Sequence, residues 1–202
     1  MYLYGASGHG KVVLEIAEEN GYNIEGFIDE DISKIMLLNY TVTHSVPLYA
    51  IDVVITIGNN KIRKKIVNGN PLFNYMTLIH PKTTVSKRVK IGEGTVVMPG
   101  CKINSEVNVG KHCIINTNAS VDHDCAIEDF VHISPGASLA GAVSVGEGTH
   151  IGIGAVVIQG VNIGKWCTIG AGAVIIRDVL DGATVVGNPG RVIKMNESKY
   201  DQ

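Results

Sequence analysis

The sequence predicts two folds in one chain: a small Rossmann-like α/β unit over residues 1–80, then a solenoid of short β-strands over residues 81–202. Three observations predict it. Every sixth residue from Val85 to Ile175 is Val, Ile or Leu. The residue four places after each of them is Val, Thr, Cys or Ala, without exception. Glycine is abundant, 24 among 202 residues, against an average near ~7%, while aromatics are only 5%, too few for an ordinary sandwich core of this size.

The first eighty residues alternate strand and helix. Tyr2–Tyr4 reads as a short strand, followed by the loop Gly5-Ala6-Ser7-Gly8-His9-Gly10. From Lys11 to Asn20 the apolar residues Val12, Val13, Ile16 and Ala17 follow helical spacing. A second strand, Gly26–Ile28, ends in Asp29-Glu30, and a third, Val53–Ile57, ends in Gly58-Asn59-Asn60 and leads into a basic helix over Lys61–Val67. Met76–Ile79 is expected to add a fourth strand before His80-Pro81. Loops at strand ends in such a unit are where ligands bind. The spacing G-x-x-G-x-G departs from the dinucleotide fingerprint G-x-G-x-x-G. The shared physics still points to a nucleotide: N–H groups at a helix start hold phosphate, and an acidic group after strand two accepts hydrogen bonds from sugar or base. Arg63, Lys64 and Lys65 are expected to form a solvated helix face.

In the solenoid, one large aliphatic and one small residue per hexapeptide point inward, and each coil buries its face only on its neighbours. Each buried Val or Ile contributes on the order of 1.5–3 kcal/mol, which builds a continuous core without aromatics. Glycines such as Gly92, Gly110, Gly146, Gly164 and Gly170 follow the aliphatic position directly, at corners where a side chain is costly. Cys101, Cys113, Cys125 and Cys167 all occupy the small inward position. They are expected to act as small apolar residues rather than as disulfides, ligands or nucleophiles.

Composition excludes several classes. With 17 Lys+Arg against 19 Asp+Glu and a net charge of -2, there is no basic excess to meet a phosphate backbone, so nucleic acid is not an expected partner. No apolar run reaches the ~18–20 residues of a membrane helix, and the amino terminus does not read as a leader. A cytoplasmic, membrane-free protein is expected.

The six-residue pattern resembles the hexapeptide-repeat acyltransferases. That resemblance implies a left-handed parallel β-helix with three hexapeptides per coil, a little over five coils, and a homotrimer with active sites between subunits. G-A-S-G-H-G at the start, F-I-D-E at 27–30, I-G-N-N-K-I-R-K-K at 57–65, N-T-N-A-S-V-D-H-D-C at 116–125 and F-V-H-I-S-P-G at 130–136 together resemble the nucleotide-sugar and sialic-acid acetyltransferases. The nearest branch is the bacillosamine-pathway N-acetyltransferases, which acetylate the 4-amino group of a UDP-linked 4-amino-4,6-dideoxy sugar. The likeness runs from residue 1 to about 194. Glu30 stands where that branch has Asp, and Asp124 where it has Glu, which changes reach by one carbon and keeps charge.

His123 is the expected general base. It stands two places after inward-facing Val121, so its ring points out of the column, between Asp122 and Asp124. A neighbouring carboxylate raises imidazole basicity and orients the ring, as an amine attacking a thioester requires. The resemblance makes Asp124 the modulator, with Asp122 the other candidate. Gly141, one coil on, is expected beside His123, its N–H available to an oxyanion. The resemblance places His132, Gly141, Ile153 and Ala171 against acetyl-CoA, and Arg191 in a turn near the CoA nucleotide. It places Ser7, Gly8, His9, Asp29, Glu30, Gly58, Asn59 and Asn116 against the nucleotide sugar. His132 and His150 should stack, but the histidines lack the spacing of a metal centre, so no metal is expected. The expected reaction is direct acetyl transfer from acetyl-CoA to the sugar amine. O-acetylation of sialic acid or another sugar hydroxyl is the enzymatic alternative, and a nucleotide-binding β-helix scaffold the non-enzymatic one.

Overall fold

The computed structural model describes residues 1–195; the expected C-terminal tail beyond them lies outside the described residues. The first unit is an α/β sheet. Strand β1 (Tyr2–Tyr4) feeds helix α1 (Gly8–Glu19), and β2 (Gly26–Ile28) lies beside β1. A short hairpin, β3 (Met36–Leu37) and β4 (Tyr40–Thr43), precedes β5 (Ile51–Ile55), α2 (Asn60–Gly69) and β6 (Phe73–Tyr75). The order across the sheet is β3-β4-β2-β1-β5-β6, parallel apart from the β3–β4 pair. The hairpin carries no strong strand signal and was not anticipated. Met76–Ile79 does not form one strand of this sheet. Phe73–Tyr75 pairs with β5 instead, and Leu78–Ile79 is already the first rung of the column.

Gly5 and Gly10 of the glycine loop are required by close approach. A Cβ at Gly5, where φ is +121°, would lie 2.5 Å from Ile57 Cδ1, and one at Gly10 would lie 2.5 Å from Gly5 O. Gly8 meets nothing within 4 Å. Two glycines therefore pack helix against strand, and the one between them leaves the helix start open.

The column is a left-handed parallel β-helix with three walls, in sheets of 8, 6 and 5 strands, each strand two residues long except the last two of the 8-stranded sheet. The first wall runs from Leu78–Ile79 through His132–Ile133 and His150–Ile151, the second through Ser120–Val121 and Ser138–Leu139, the third through Ala126–Ile127 and Ser144–Val145. Val97 pairs with Ile115, Val121 with Leu139 and Ile127 with Val145. The register step is thus three hexapeptides, and the inward aliphatic and small residues form one buried cluster. All four cysteines are buried and free.

Two details depart from the simple beat. The repeat starts one hexapeptide earlier, since Ile79 pairs with Val97. It also slips at the other end: Val179, expected in the small position, pairs with Ile163 and fills an aliphatic one. Thr184 then pairs with Thr168, so the last coil is two residues short. An antiparallel strand, Arg191–Met195, covers Ala183–Val186 and closes the sheet.

The glycine surplus serves two needs. A Cβ at Gly92 or Gly146 would lie 2.6 Å from the backbone of the next coil, at Gly110 and Gly164 respectively. The left-handed backbone position is two residues further on: Gly94, Gly100, Glu106, His112, Asn118, Asp124 and Phe130 all have φ between +53° and +73°. Asn and Asp tolerate that region better than most side chains.

The first unit docks on the edge between third and first walls through the start of α2. Arg63, expected in a solvated face, is 1% exposed, because its guanidinium reaches the carbonyls of His112 and Phe130. Lys64 pairs with Glu147 and lies over the rings of Phe130 and Trp166.

Candidate functional site

On the edge between the second and third walls the ring of His123 projects into solvent, its side chain 59% exposed. Nδ1 lies 2.7 Å from Asp124 Oδ2. With the carboxylate ionised that contact places the proton on Nδ1 and leaves the Nε2 lone pair facing outward. Asp122 does different work: its Oδ1 accepts the His123 backbone N–H at 2.8 Å and the Asn104 amide at 2.6 Å. The Asp124 hydrogen bond, then the charge of Asp122, raises the imidazole above its ordinary value. Asp124 itself sits at φ +60°, a conformation that turns its carboxylate back onto the ring before it.

Gly141 stands beside this histidine. A Cβ there would lie 2.6 Å from His123 Cε1 and 2.7 Å from Nε2, so the ring occupies the space a side chain would take. The backbone carbonyls of His123 and Gly141 hold Ala142 and Gly160 of the following coils. A shallow cleft of about 340 Å³ runs from here along the second wall past Asp122, Ser120, Ser138 and Val156.

The other residues expected at acetyl-CoA are elsewhere on the column. Ile153, 62% exposed, and Ala171 stack on the edge between the first and second walls, where Gly172 N–H meets Ile153 O at 2.8 Å. His132 is on the first wall, 9% exposed, under the docked α/β unit. Its Nδ1 lies 3.4 Å from Gly58 O and its Nε2 3.0 Å from Asn116 Nδ2. Both ring nitrogens are engaged, so only the ring edge remains for a cofactor. It stacks on His150 at 4.7 Å and 10°, as expected. Asn116 is similarly committed, its Oδ1 accepting Thr117 N–H at 2.8 Å. One chain therefore spreads the set over two edges and a wall.

The α/β unit holds a cleft of about 470 Å³ between the ends of β1, β2 and β5 and helix α2, lined by Tyr4, Gly5, Asp29, Glu30, Ile57 and Lys65 among others. Asp29 builds this cleft. Oδ2 accepts the Ala6 N–H at 2.7 Å and Lys34 Nζ at 2.9 Å, and Oδ1 accepts the Asp31 N–H at 3.0 Å. These bonds hold its carboxyl below the usual range although burial opposes them. Glu30, touched only lightly by the Tyr4 hydroxyl at 3.3 Å, is the carboxylate free to meet a ligand. Ser7 precedes α1 without a side-chain capping bond and is exposed, beside open Gly8. Asn59 caps α2, accepting the Ile62 N–H at 3.0 Å. His9 Nε2 is buried without a partner. Lys65, expected in a solvated helix face, stands beside Ile62 and Ile66 on the cleft face of α2, a placement that emerges only from how the helix packs.

The buried histidines carry a pH consequence. Burial strips water from the charged ring and pushes His9 down to about 4 and His132 to about 3. The unfolded chain binds these protons near pH 6.5, so this stability is present above pH 6.5 and is lost as pH falls towards the folded values. The stability difference between the protein and His132→Gln is expected to shrink by about 3 kcal/mol from pH 7 to pH 4, read from urea unfolding at each pH. A constant difference would contradict the assignment.

The column and the tethered imidazole at its edge are those of a hexapeptide-repeat acyltransferase. Residues 1–69 match the PglD N-terminal domain, and residues 142–177 match the bacterial transferase hexapeptide with six repeats. Among solved structures, the chain is 34% identical to a histidine variant of perosamine N-acetyltransferase from Caulobacter crescentus in complex with CoA and GDP-perosamine, covering 96% of each chain with a TM-score of 0.89. It is 39% identical to the acetyltransferase domain of PglB from Neisseria gonorrhoeae, which has been solved with acetyl coenzyme A, covering 95% of this chain and 98% of that one with a TM-score of 0.87. A 47-residue stretch is 47% identical to UDP-N-acetylbacillosamine N-acetyltransferase of Bacillus subtilis and spans 22% of that protein's length. The chain belongs to the nucleotide-sugar N-acetyltransferase family that includes these proteins. Among the described residues no helix is long and apolar enough to cross a membrane, and no cluster of His, Cys, Asp and Glu is arranged to hold a metal.

Proposed function

We propose that the protein transfers acetyl from acetyl-CoA to the 4-amino group of a UDP-linked 4-amino-4,6-dideoxy sugar, in the cytoplasm and for bacterial glycan biosynthesis. The observation that carries this reading is the His123–Asp124 pair, with Nε2 free beside a glycine. His123 Nε2 takes a proton from the amine as the nitrogen attacks the thioester carbonyl. Asp124 holds the resulting imidazolium, and the Gly141 N–H donates to the developing oxyanion. Collapse expels the CoA sulfur, which takes up the proton from His123. Direct attack fits the cysteines: all four are buried, and burial pushes Cys101 up to about 11 and Cys113 to about 12, so none serves as an acyl carrier.

The assembly we propose is a homotrimer. His123 and Gly141 lie on one edge of the column, Ile153 and Ala171 on the next, and two copies side by side bring unlike edges together. Ile153, Val156, Ile158 and Ile176 are exposed apolar residues along this region, as an interface would need. In that groove Ile153, Ala171, Gly141 and the ring edge of His132 meet acetyl-CoA. Glu30 meets the base or ribose, the Ser7–Gly8 helix start and His9 meet the diphosphate, and Gly58, Asn59 and Asn116 bound the path to the sugar. Asp29 acts by shaping the cleft.

UDP is favoured by the likeness to the Bacillus subtilis relative, while the Caulobacter structure holds GDP-perosamine. Release of free CoA, followed with acetyl-CoA and UDP-, GDP- and dTDP-linked 4-amino sugars, tests the reading. The UDP sugar is expected to lead in kcat/KM by at least about tenfold. A lead for the GDP sugar would correct the nucleotide, and no turnover with any of the three would overturn the activity.

A further inference from the structure

Arg63 is the largest of the fully buried side chains among the described residues and is 1% exposed. Among the described residues its guanidinium has no carboxylate partner. Nε donates to His112 O at 2.8 Å, Nη2 to Phe130 O and to Asn60 Oδ1, both at 2.9 Å, and Nη1 to Ile57 O at 2.9 Å and Gly58 O at 3.3 Å. His112 and Phe130 belong to successive coils. Asn60 extends the grip to a third, its Nδ2 donating to Gly148 O at 3.0 Å and Thr149 O at 3.3 Å.

A buried cation without a counter-charge is an expensive way to join two surfaces, since apolar residues of similar volume commonly do it as well or better. What a guanidinium adds is direction: its donors lie in a fixed planar fork. Here that fork ties two coils of the column to the Ile57-Gly58 turn at the end of β5, and Ile57 lines the cleft of the α/β unit. The same Gly58 carbonyl faces His132 Nδ1, whose opposite nitrogen meets Asn116. The turn is thus held at both of its carbonyls by Arg63, itself bonded to the column, and at Gly58 by His132 of the column as well.

We propose that Arg63 is a positioning residue for the nucleotide sugar: it locks the Ile57–Asn59 turn to the β-helix, so that the nucleotide cleft sits in fixed register with the acetyl-transfer groove. The proposal rests on the nucleotide-sugar reading above. It separates Arg63 from the acetyl-CoA contacts proposed at Gly141, Ile153 and Ala171, which lie on other edges of the column; His132 alone shares the Gly58 carbonyl with Arg63.

The test compares the unmodified protein with Arg63→Met, Arg63→Lys and Asn60→Ala, measuring binding of UDP, GDP and acetyl-CoA by calorimetry. Arg63→Met is expected to weaken the preferred nucleotide by at least about tenfold and leave acetyl-CoA within about twofold. Arg63→Lys keeps the charge and loses the fork, so it should recover only part of the nucleotide affinity. If Arg63→Met does not fold, Asn60→Ala decides by the same split, with an expected nucleotide loss of about threefold or more. Equal losses for nucleotide and acetyl-CoA, or an unchanged nucleotide affinity, would overturn the positioning role alone. Failure of the unmodified protein to bind either nucleotide would overturn the reading beneath it, and the proposal with it.

Discussion

His123→Ala is expected to lower kcat for acetyl transfer by about 10²- to 10⁴-fold, the range typical of a lost general base. The nucleotide and acetyl-CoA affinities should change little, because the ring is exposed and makes its one side-chain hydrogen bond to Asp124. Steady-state kinetics at saturating concentrations of both substrates measures this. A surviving rate within a few-fold of the unmodified protein would remove His123 from the chemistry. The pH profile gives an independent reading. The imidazole is raised above its ordinary value, first by the Asp124 hydrogen bond, and only the neutral ring accepts a proton. Activity therefore rises with pH through that raised value. Asp124→Asn takes away the leading cause, so the acid limb should move to lower pH while the plateau falls. A limb that stays in place would transfer the role to Asp122.

Gly141→Ala is expected to cost about 10- to 100-fold in kcat with thermal stability almost unchanged. The added methyl would stand 2.6 Å from His123 Cε1, closer than carbon atoms approach, and the ring is the partner free to move. Gly141 does not have a positive φ, so alanine fits its backbone and the effect falls on the imidazole. Crystals of the variant should show the ring turned away from the groove. Full activity with an undisturbed ring would mean that the close approach has no part in catalysis.

The column was readable almost residue by residue, because a narrow interior leaves no freedom: each inward site must match its neighbour one coil away, and the beat is written in residue size. His123 was readable for the same reason, since register alone fixes that it points outward. The short last coil was not, because Val179 suits either inward position. Arg63 was misread as surface. Its neighbours Lys64 and Lys65 suggest a wet face, and only docking of the α/β unit adds the His112 and Phe130 carbonyls to the three oxygens of its own unit that together make its burial tolerable. Asp29, expected against the nucleotide sugar from the resemblance and from its place after strand two, lines the cleft with both its oxygens bonded within the protein. Sequence identifies an acidic side chain at a strand end. It does not reveal how many local donors compete for it.

The antiparallel strand Arg191–Met195 has a consequence for assembly. A stack of parallel rungs is an open template, able in principle to grow end to end into a fibre with another such stack. Here the first of the three walls ends in a strand running the opposite way, exposed along its whole length. An incoming rung would meet reversed polarity and the charged Arg191 and Lys194. Charge set along the capped edge disfavours end-to-end growth on that wall, which leaves the flanks as the surfaces for association.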